Sequence, residues 1–129
     1  MVKFVRLLFD PNFGHYVYNG ASHSSCIEME ILGTFLATDV GCYWPSFKEW
    51  VLDDTQIEAS SNATRMEKEG DSIFLSDIYP VMKKPKKLKL SCVQLVQLLD
   101  DWKEKVCVPK PKEVMIKYEN GQFVIETKG

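Results

Sequence analysis

Residues Leu88 to Thr127 read LKLSCVQLVQLLDDWKEKVCVPKPKEVMIKYENGQFVIET, and they decide the fold. Ser91 stands where an N-cap belongs, and Gln94, three residues on, completes the reciprocal capping pattern. Cys92, Leu95, Val96, Leu99, Trp102 and Val106 then recur at helical spacing, which predicts a helix of about four turns with one apolar face. Burial is worth roughly 1.5 to 3 kcal/mol for each large side chain of that face, more than helix propensity supplies, so the face must lie on another apolar surface. The partner follows in sequence. Pro109 and Pro111 stop the helix, and Glu113 to Tyr118 and Gln122 to Thr127 are β-rich runs joined by Asn120-Gly121, the dipeptide that best supplies two positive φ angles for a type I′ turn. A two-residue turn pairs Tyr118 with Phe123 and Ile116 with Ile125, so Val114, Ile116, Tyr118, Phe123 and Ile125 form the face offered to the helix.

Outward from this unit the chain is rich in strand signals. Val2 to Phe9 is apolar at nearly every position, as in a central strand covered on both faces, and Asp10-Pro11-Asn12 breaks it. Phe13 to Asn19 is aromatic and, with Asn19-Gly20 offering another tight turn, fits a short hairpin or an aromatic loop. Ile27, Met29 and Ile31 alternate with Glu28 and Glu30, the mark of a strand with one wet face; Thr34 to Val40 continues in strand-like residues, with Gly33 as a bend or bulge. Beyond Pro45, Ser46 can cap a short helix whose Phe47, Trp50 and Val51 fall at i, i+3 and i+4, ending near Leu52. Asp53 and Asp54 then sit where a helix dipole disfavours negative charge, unless they are turn residues in water. Ala63 to Lys68 and Ser72 to Ile78 flank Glu69-Gly70-Asp71 as a second hairpin. Lys83 to Lys89 is a basic run without arginine, interleaved aromatics or a glycine-rich loop, so a linker or a lysine-protected edge strand suits it better than phosphate binding; nucleic acid is not an expected partner. The order of elements predicts an α+β fold, a largely antiparallel sheet of about five to seven strands with one long and one short helix packed on a face.

A chain of 129 residues suits one domain, 1–129, with one core. No apolar run approaches the ~20 residues that cross a bilayer, and Met1 to Phe9 lacks the h-region and cleavage site of a signal peptide, so a cytoplasmic protein is expected. Cys26, Cys42, Cys92 and Cys107 show no CxxC and no nearby histidine pair, which argues against a metal site; their even number leaves two disulfides open, but Cys92 on the apolar helix face favours reduced core thiols, and no cofactor is expected. The net charge of −2 hides an asymmetry: residues 1–80 carry 12 acids against 5 bases and residues 81–129 carry 6 against 11. Either the halves interleave and the charges mix, or the surface is polarised and suited to steering a basic partner.

Catalytic signatures are lacking in the sequence. The histidines are His15 and His23, adjacent Ser22-His23-Ser24 is not how a triad is assembled, and no GxSxG, HExxH, P-loop or GxGxxG occurs. Asp100, Asp101 and Glu104 lie off the apolar helix face, as a solvated face requires. An enzyme is therefore not expected, and a small-ligand or enzymatic pocket built from His15, Tyr16, Tyr18 and His23 is the alternative. Aromatics are more telling. Tyr43, Trp44 and Trp50 crowd a short stretch beside Asp53, Asp54 and Glu58, the composition of a protein-binding surface, although large aromatics beneath a loop also serve as core.

Leu90 to Trp102, Lys110 to Ile116 and Asn120 to Glu126 together resemble the C-terminal part of small immunity proteins from bacterial polymorphic-toxin and contact-dependent growth-inhibition systems. The resemblance covers about a third of the chain and its motif, a helix leading into a hairpin, is structural. It implies a cytosolic inhibitor that binds the toxin domain of a cognate effector, often a nuclease, and it transfers no contact residues. Under that expectation Tyr43, Trp44, Trp50, Asp53, Asp54 and Glu58 would face a basic toxin surface, with charge setting association rate more than affinity. A structural subunit of a larger complex is a further alternative.

Overall fold

Ser91 caps the long helix in both directions: its Oγ accepts from the Gln94 backbone amide at 3.0 Å, and Gln94 Oε1 accepts from the Ser91 amide at 2.8 Å. In the computed structural model, which describes residues 3–12, 15–17, 25–41, 44–61, 64–78 and 87–129, this helix runs Cys92–Trp102 and continues as a π-helical segment Lys103–Cys107. Among the described residues it is the third α-helix, after Ile27–Thr34 (α1) and Trp44–Leu52 (α2). The strands are Lys3–Asp10 (β1), His15–Val17 (β2), Glu58–Ser60 (β3), Thr64–Glu69 (β4), Ser72–Asp77 (β5), Lys87–Ser91 (β6), Glu113–Glu119 (β7) and Gln122–Lys128 (β8).

These strands form two four-stranded antiparallel sheets, in the orders β2-β1-β7-β8 and β3-β4-β5-β6. The α+β class and the antiparallel pairing follow the sequence; the single sheet with two helices on one face does not. The second sheet and the additional helix have one cause. Ile27 to Val40 is no strand but α1 followed by a π-helical segment, Phe35–Val40. α1 packs on β1 of one sheet and on β5 and β6 of the other, so it separates what alternation alone would have joined. Glu28 and Glu30 lie in its first turn, where the helix dipole favours acids, and Met29, Ile31, Leu32, Phe35, Leu36 and Val40 are buried. Gly33 is no bulge. A Cβ there would stand 2.7 Å from Val5 Cγ2, so glycine permits the close seat of α1 on β1.

The C-terminal unit forms as its residues dictate. Asn120 and Gly121 take φ of 53° and 78°, and β7 and β8 pair Tyr118 with Phe123 and Ile116 with Ile125. α3 lies against β8, and Gln94 Nε2 donates to Gly121 O at 3.0 Å, tying the helix cap to the turn. On α3 the buried residues are Leu95, Leu98, Leu99 and Trp102, with Cys92 and Val96 half-buried. Trp102 Nε1 and Cys107 Sγ both donate to the Gly41 carbonyl, at 2.7 and 3.2 Å, which fixes the end of α3 to the end of the α1 segment.

Elsewhere the correspondence is looser. β1 is central in its sheet but not covered on both faces: Val5 and Leu7 are fully buried while Leu8 is 36% exposed. α2 begins at Trp44 with Pro45 in its first turn, so Ser46 lies within the helix and is not its cap. β4 and β5 form the expected hairpin around Gly70, at φ 60°, and β6 is the edge strand, with Leu88 and Leu90 buried and Lys87 and Lys89 exposed. β2 pairs with β1, the hairpin alternative for that stretch. Asn19-Gly20, His23 and Lys83 to Lys86 lie outside the described residues. Both sheets and all three helices contribute to one cluster of buried apolar residues. The two charge halves of the chain interleave at Arg6–Glu113 (2.8 Å), Lys48–Asp100 (2.9 Å) and Lys87–Glu67 (3.1 Å).

Candidate functional site

α2 lies along α3 in antiparallel fashion. Lys103 Nζ stands 4.7 Å over the Trp44 ring at one end, Lys48 pairs with Asp100 in the middle, and Leu52 faces Val93 and Val96 across a groove at the other end. The inner side of α2 reaches the core through Trp50, Val51 and the edge-on contact of Phe47 with Phe35 (5.4 Å, 86°).

Six residues, Tyr43, Trp44, Trp50, Asp53, Asp54 and Glu58, are the surface expected from sequence, and the structure divides them. Trp50 is core: it is 8% exposed, and Lys68 Nζ sits 4.3 Å above its ring. The same ammonium donates to the Trp50 carbonyl and, at 2.7 Å, to the Asp53 carbonyl, so a lysine from β4 caps the C-terminal end of α2. Asp53 is a turn residue. Its Oδ1 accepts from Thr55 Oγ1 at 2.6 Å and from the Thr55 amide at 2.9 Å. Those Thr55 hydrogen bonds, the hydroxyl's foremost and with Lys68 adding to them, hold the Asp53 carboxyl below the ordinary value of 3.8. Glu58 is bound in place by Arg65, whose Nε also lies 3.6 Å from Glu67, so one guanidinium offsets two carboxylates that β3 and β4 set opposite each other. Trp44 is half-buried under Lys103, Asp54 is exposed, and Tyr43 lies outside the described residues. Of the described five, only Trp50 is buried; Asp54 and Glu58 are exposed, and Trp44 and Asp53 are half-buried.

The stretch also exposes aliphatic side chains, Leu52 at 63% and Ile57 at 66%. Across from Leu52, Val93 on α3 is 76% exposed. Between them runs a shallow groove of ≈ 490 Å³, open on its outer side, lined by Leu52 of α2 and by Val93, Val96, Gln97, Asp100 and Asp101 of α3. Its wall is apolar and one end carries the two carboxylates. Asp100 is neutralised by Lys48; Asp101 and the exposed Asp54, two residues past Leu52, have no cation within ion-pair distance among the described residues. The composition of a single segment does not show this groove, because its walls come from parts of the chain far apart in sequence. The available signal was Val93, a branched aliphatic residue off the apolar stripe of an otherwise well-patterned helix.

In the aromatic N-terminal region, Tyr16 is 7% exposed, donates its hydroxyl to the Pro111 carbonyl, and packs edge-on against Phe9 (5.3 Å) and Trp102 (5.9 Å). The backbone of His15 pairs with Asp10. Tyr18 lies outside the described residues. Cys26 and Cys92 are half-buried free thiols. Among the described residues no three His, Cys, Asp or Glu side chains gather in a way that could hold a metal ion, and no helix is long and apolar enough to cross a membrane.

Comparison with protein-family models, with curated proteins and with solved structures finds no match to this chain.

Proposed function

We propose that this chain is a protein-binding inhibitor of the immunity type, a cytoplasmic protein that neutralises a cognate toxin domain by occupying it rather than by catalysis. The observation that carries this reading is the exposed aliphatic pair Leu52 and Val93, which line an open groove together with Asp100 and Asp101. Large aliphatic side chains at 63% and 76% exposure, rimmed by carboxylates, have the composition of a surface that another protein covers. A small ligand would be buried for most of its area in an enclosed cavity, whereas this groove is shallow and open. The expected contact residues Trp44, Asp53, Asp54 and Glu58 follow along α2 and the loop after it, with Trp50 beneath them, Asp53 held by Thr55 and Glu58 by Arg65. Carboxylates of this kind accelerate association with a basic partner and weaken in salt.

The reading is tested by expressing the open reading frames adjacent to this chain's gene, singly and with the chain, in a bacterial host. One neighbour should arrest growth alone and be harmless beside the chain, and the two proteins should co-purify. Growth arrest that the chain does not relieve, or neighbours that neither harm the host nor bind, would defeat the proposal.

A further inference from the structure

Asn120-Gly121, the turn between β7 and β8, brings together the parts of a reaction that needs only water. Among the described residues Asn120 is the asparagine that a glycine follows, and both are exposed. Apart from its chain neighbours, no atom lies within 4 Å of where a Cβ on Gly121 would stand, and Glu119 and Gln122 are the last pair of the ladder. The Gly121 amide is therefore outside the strand pairing and open to solvent. Once a solvent base has taken its proton, that nitrogen can attack Cγ of Asn120 and close a five-membered ring. The N–Cγ bond forms, the Cγ–Nδ2 bond breaks, and Nδ2 leaves as ammonia with a proton from water. Water then opens the ring at Cγ to give aspartate, or at the main-chain carbonyl carbon of Asn120 to give isoaspartate. One water enters, one ammonia departs, and nothing is oxidised or reduced.

The fold works against the first of these steps. The φ values of 53° and 78° at Asn120 and Gly121 mark a type I′ turn. In such a turn ψ of the first central residue is about 30°, which points the following nitrogen away from that residue's own side chain. Ring closure thus requires the turn to open. The β7–β8 ladder holds it shut, with the Tyr118 and Phe123 rings packed at 4.7 Å, and so does the bond from Gln94 Nε2 to the Gly121 carbonyl at 3.0 Å. Gln94 is itself fixed, because its Oε1 accepts from the Ser91 amide at 2.8 Å. The residue that caps α3 also fastens the turn.

We propose that Asn120 is a site of spontaneous deamidation gated by opening of the β7–β8 turn, and that the Gln94–Gly121 hydrogen bond is the latch that sets its rate. The isoaspartyl product routes the main chain through Cβ, adding one carbon to a two-residue turn and a carboxylate beside Glu119. The register that buries Phe123 and Ile125 then no longer closes, and the Gly121 carbonyl leaves Gln94, so one surface reaction loosens the hairpin and its tie to α3 together.

The test ages the full chain at mildly alkaline pH and follows conversion by peptide mapping, with fragmentation that separates aspartate from isoaspartate. Asn19, also followed by glycine, is the reference in the unfolded chain. In guanidinium chloride Asn120 and Asn19 should convert at similar rates, and in native buffer Asn120 should convert roughly tenfold or more slowly than it does unfolded. Gln94→Glu keeps the acceptor for the Ser91 amide and loses the donor to Gly121. It should speed native conversion of Asn120 about fivefold, the gain in open population that loss of one hydrogen bond allows, and leave the unfolded rate unchanged. The isoaspartyl chain, separated by its extra charge, should melt below the parent. Native conversion as fast as unfolded, Asn120 intact where unfolded Asn19 has converted, Gln94→Glu ageing like the parent, or an isoaspartyl chain that melts like the parent would overturn the proposal. If Gln94→Glu does not fold, the native-against-unfolded comparison on the parent chain still decides whether the turn gates the reaction.

Discussion

α1 and α3 are built alike and used differently. Each runs into a π-helical segment, Phe35–Val40 and Lys103–Cys107, and the two ends meet at the Gly41 carbonyl that Trp102 and Cys107 share. α1 has a sheet on either side, and of its residues from Met29 to Val40 only Glu30, Thr34 and Thr38 escape full burial. α3 buries one stripe and leaves Val93, Gln97, Asp101 and Glu104 to the groove and the solvent. A helix enclosed on both sides has no need of an amphipathic period, so its sequence conceals it; a helix with one open face must declare that face. The open face is also where a partner can reach.

The sharpest way to break this comparison is to remove the residue that joins the two helices. Trp102→Ala empties a fully buried site, abolishes the 2.7 Å hydrogen bond to Gly41 and the packing on Tyr16, and should cost about 3 to 5 kcal/mol in denaturant unfolding. A loss below about 1 kcal/mol would mean that the junction does not hold the fold. Gly33→Ala asks whether α1 is truly pressed on β1. On an exposed helix this substitution stabilises by up to about 1 kcal/mol. Here the new Cβ would meet Val5 Cγ2 at 2.7 Å and Val5 Cγ1 at 3.3 Å, so a loss of about 1 to 3 kcal/mol is expected, and the sign alone decides between a buried and an open α1. Ser91→Ala should cost α3 about 1 kcal/mol by deleting the acceptor of the Gln94 amide, with the loss read from thermal unfolding; Ser91→Asp should largely restore it.

The smallest expected effect is on pH. Asp53 titrates below 3.8 in the folded chain because Thr55 hydrogen-bonds its charged form. A folded value beneath the unfolded one means that its contribution is present above roughly pH 4 and fades as pH falls through the folded midpoint. In a carboxyl-carbon NMR titration Thr55→Val should move that midpoint upward; an unmoved midpoint would show that Thr55 is not its cause.

How much of this was legible follows from where each signal resides. Ser91, Gln94, Asn120 and Gly121 act within a few residues of themselves, so the cap, the turn and the β7–β8 register could be read directly. Ile27, Met29 and Ile31 misled because two turns of a buried helix can alternate like a strand, and the sheets that override that pattern are assembled from β1 and from β5 and β6, far along the chain. The site shows the same division. The candidate stretch stands out by its composition, but the surroundings of Trp50, Asp53 and Glu58 are set by Lys68 and Arg65 on β4 together with Thr55, and side-chain type alone does not reveal which carboxylates a neighbouring strand has already paired. Leu52 and Val93, 41 positions apart, become a groove only once α2 turns back along α3.

The central claim is that the outer face of α2 and α3 serves binding while the rest of the molecule supports it. Under the proposed function, growth rescue from the toxin that this function requires tests it most directly when Val93→Asp is set beside Val124→Asp, an exposed valine on the outer face of β8 used as control. Both variants should melt like the parent, since surface substitutions stay within about 0.5 kcal/mol. The account predicts that Val124→Asp protects the host as the parent does and that Val93→Asp fails to. Equal protection by both would contradict it.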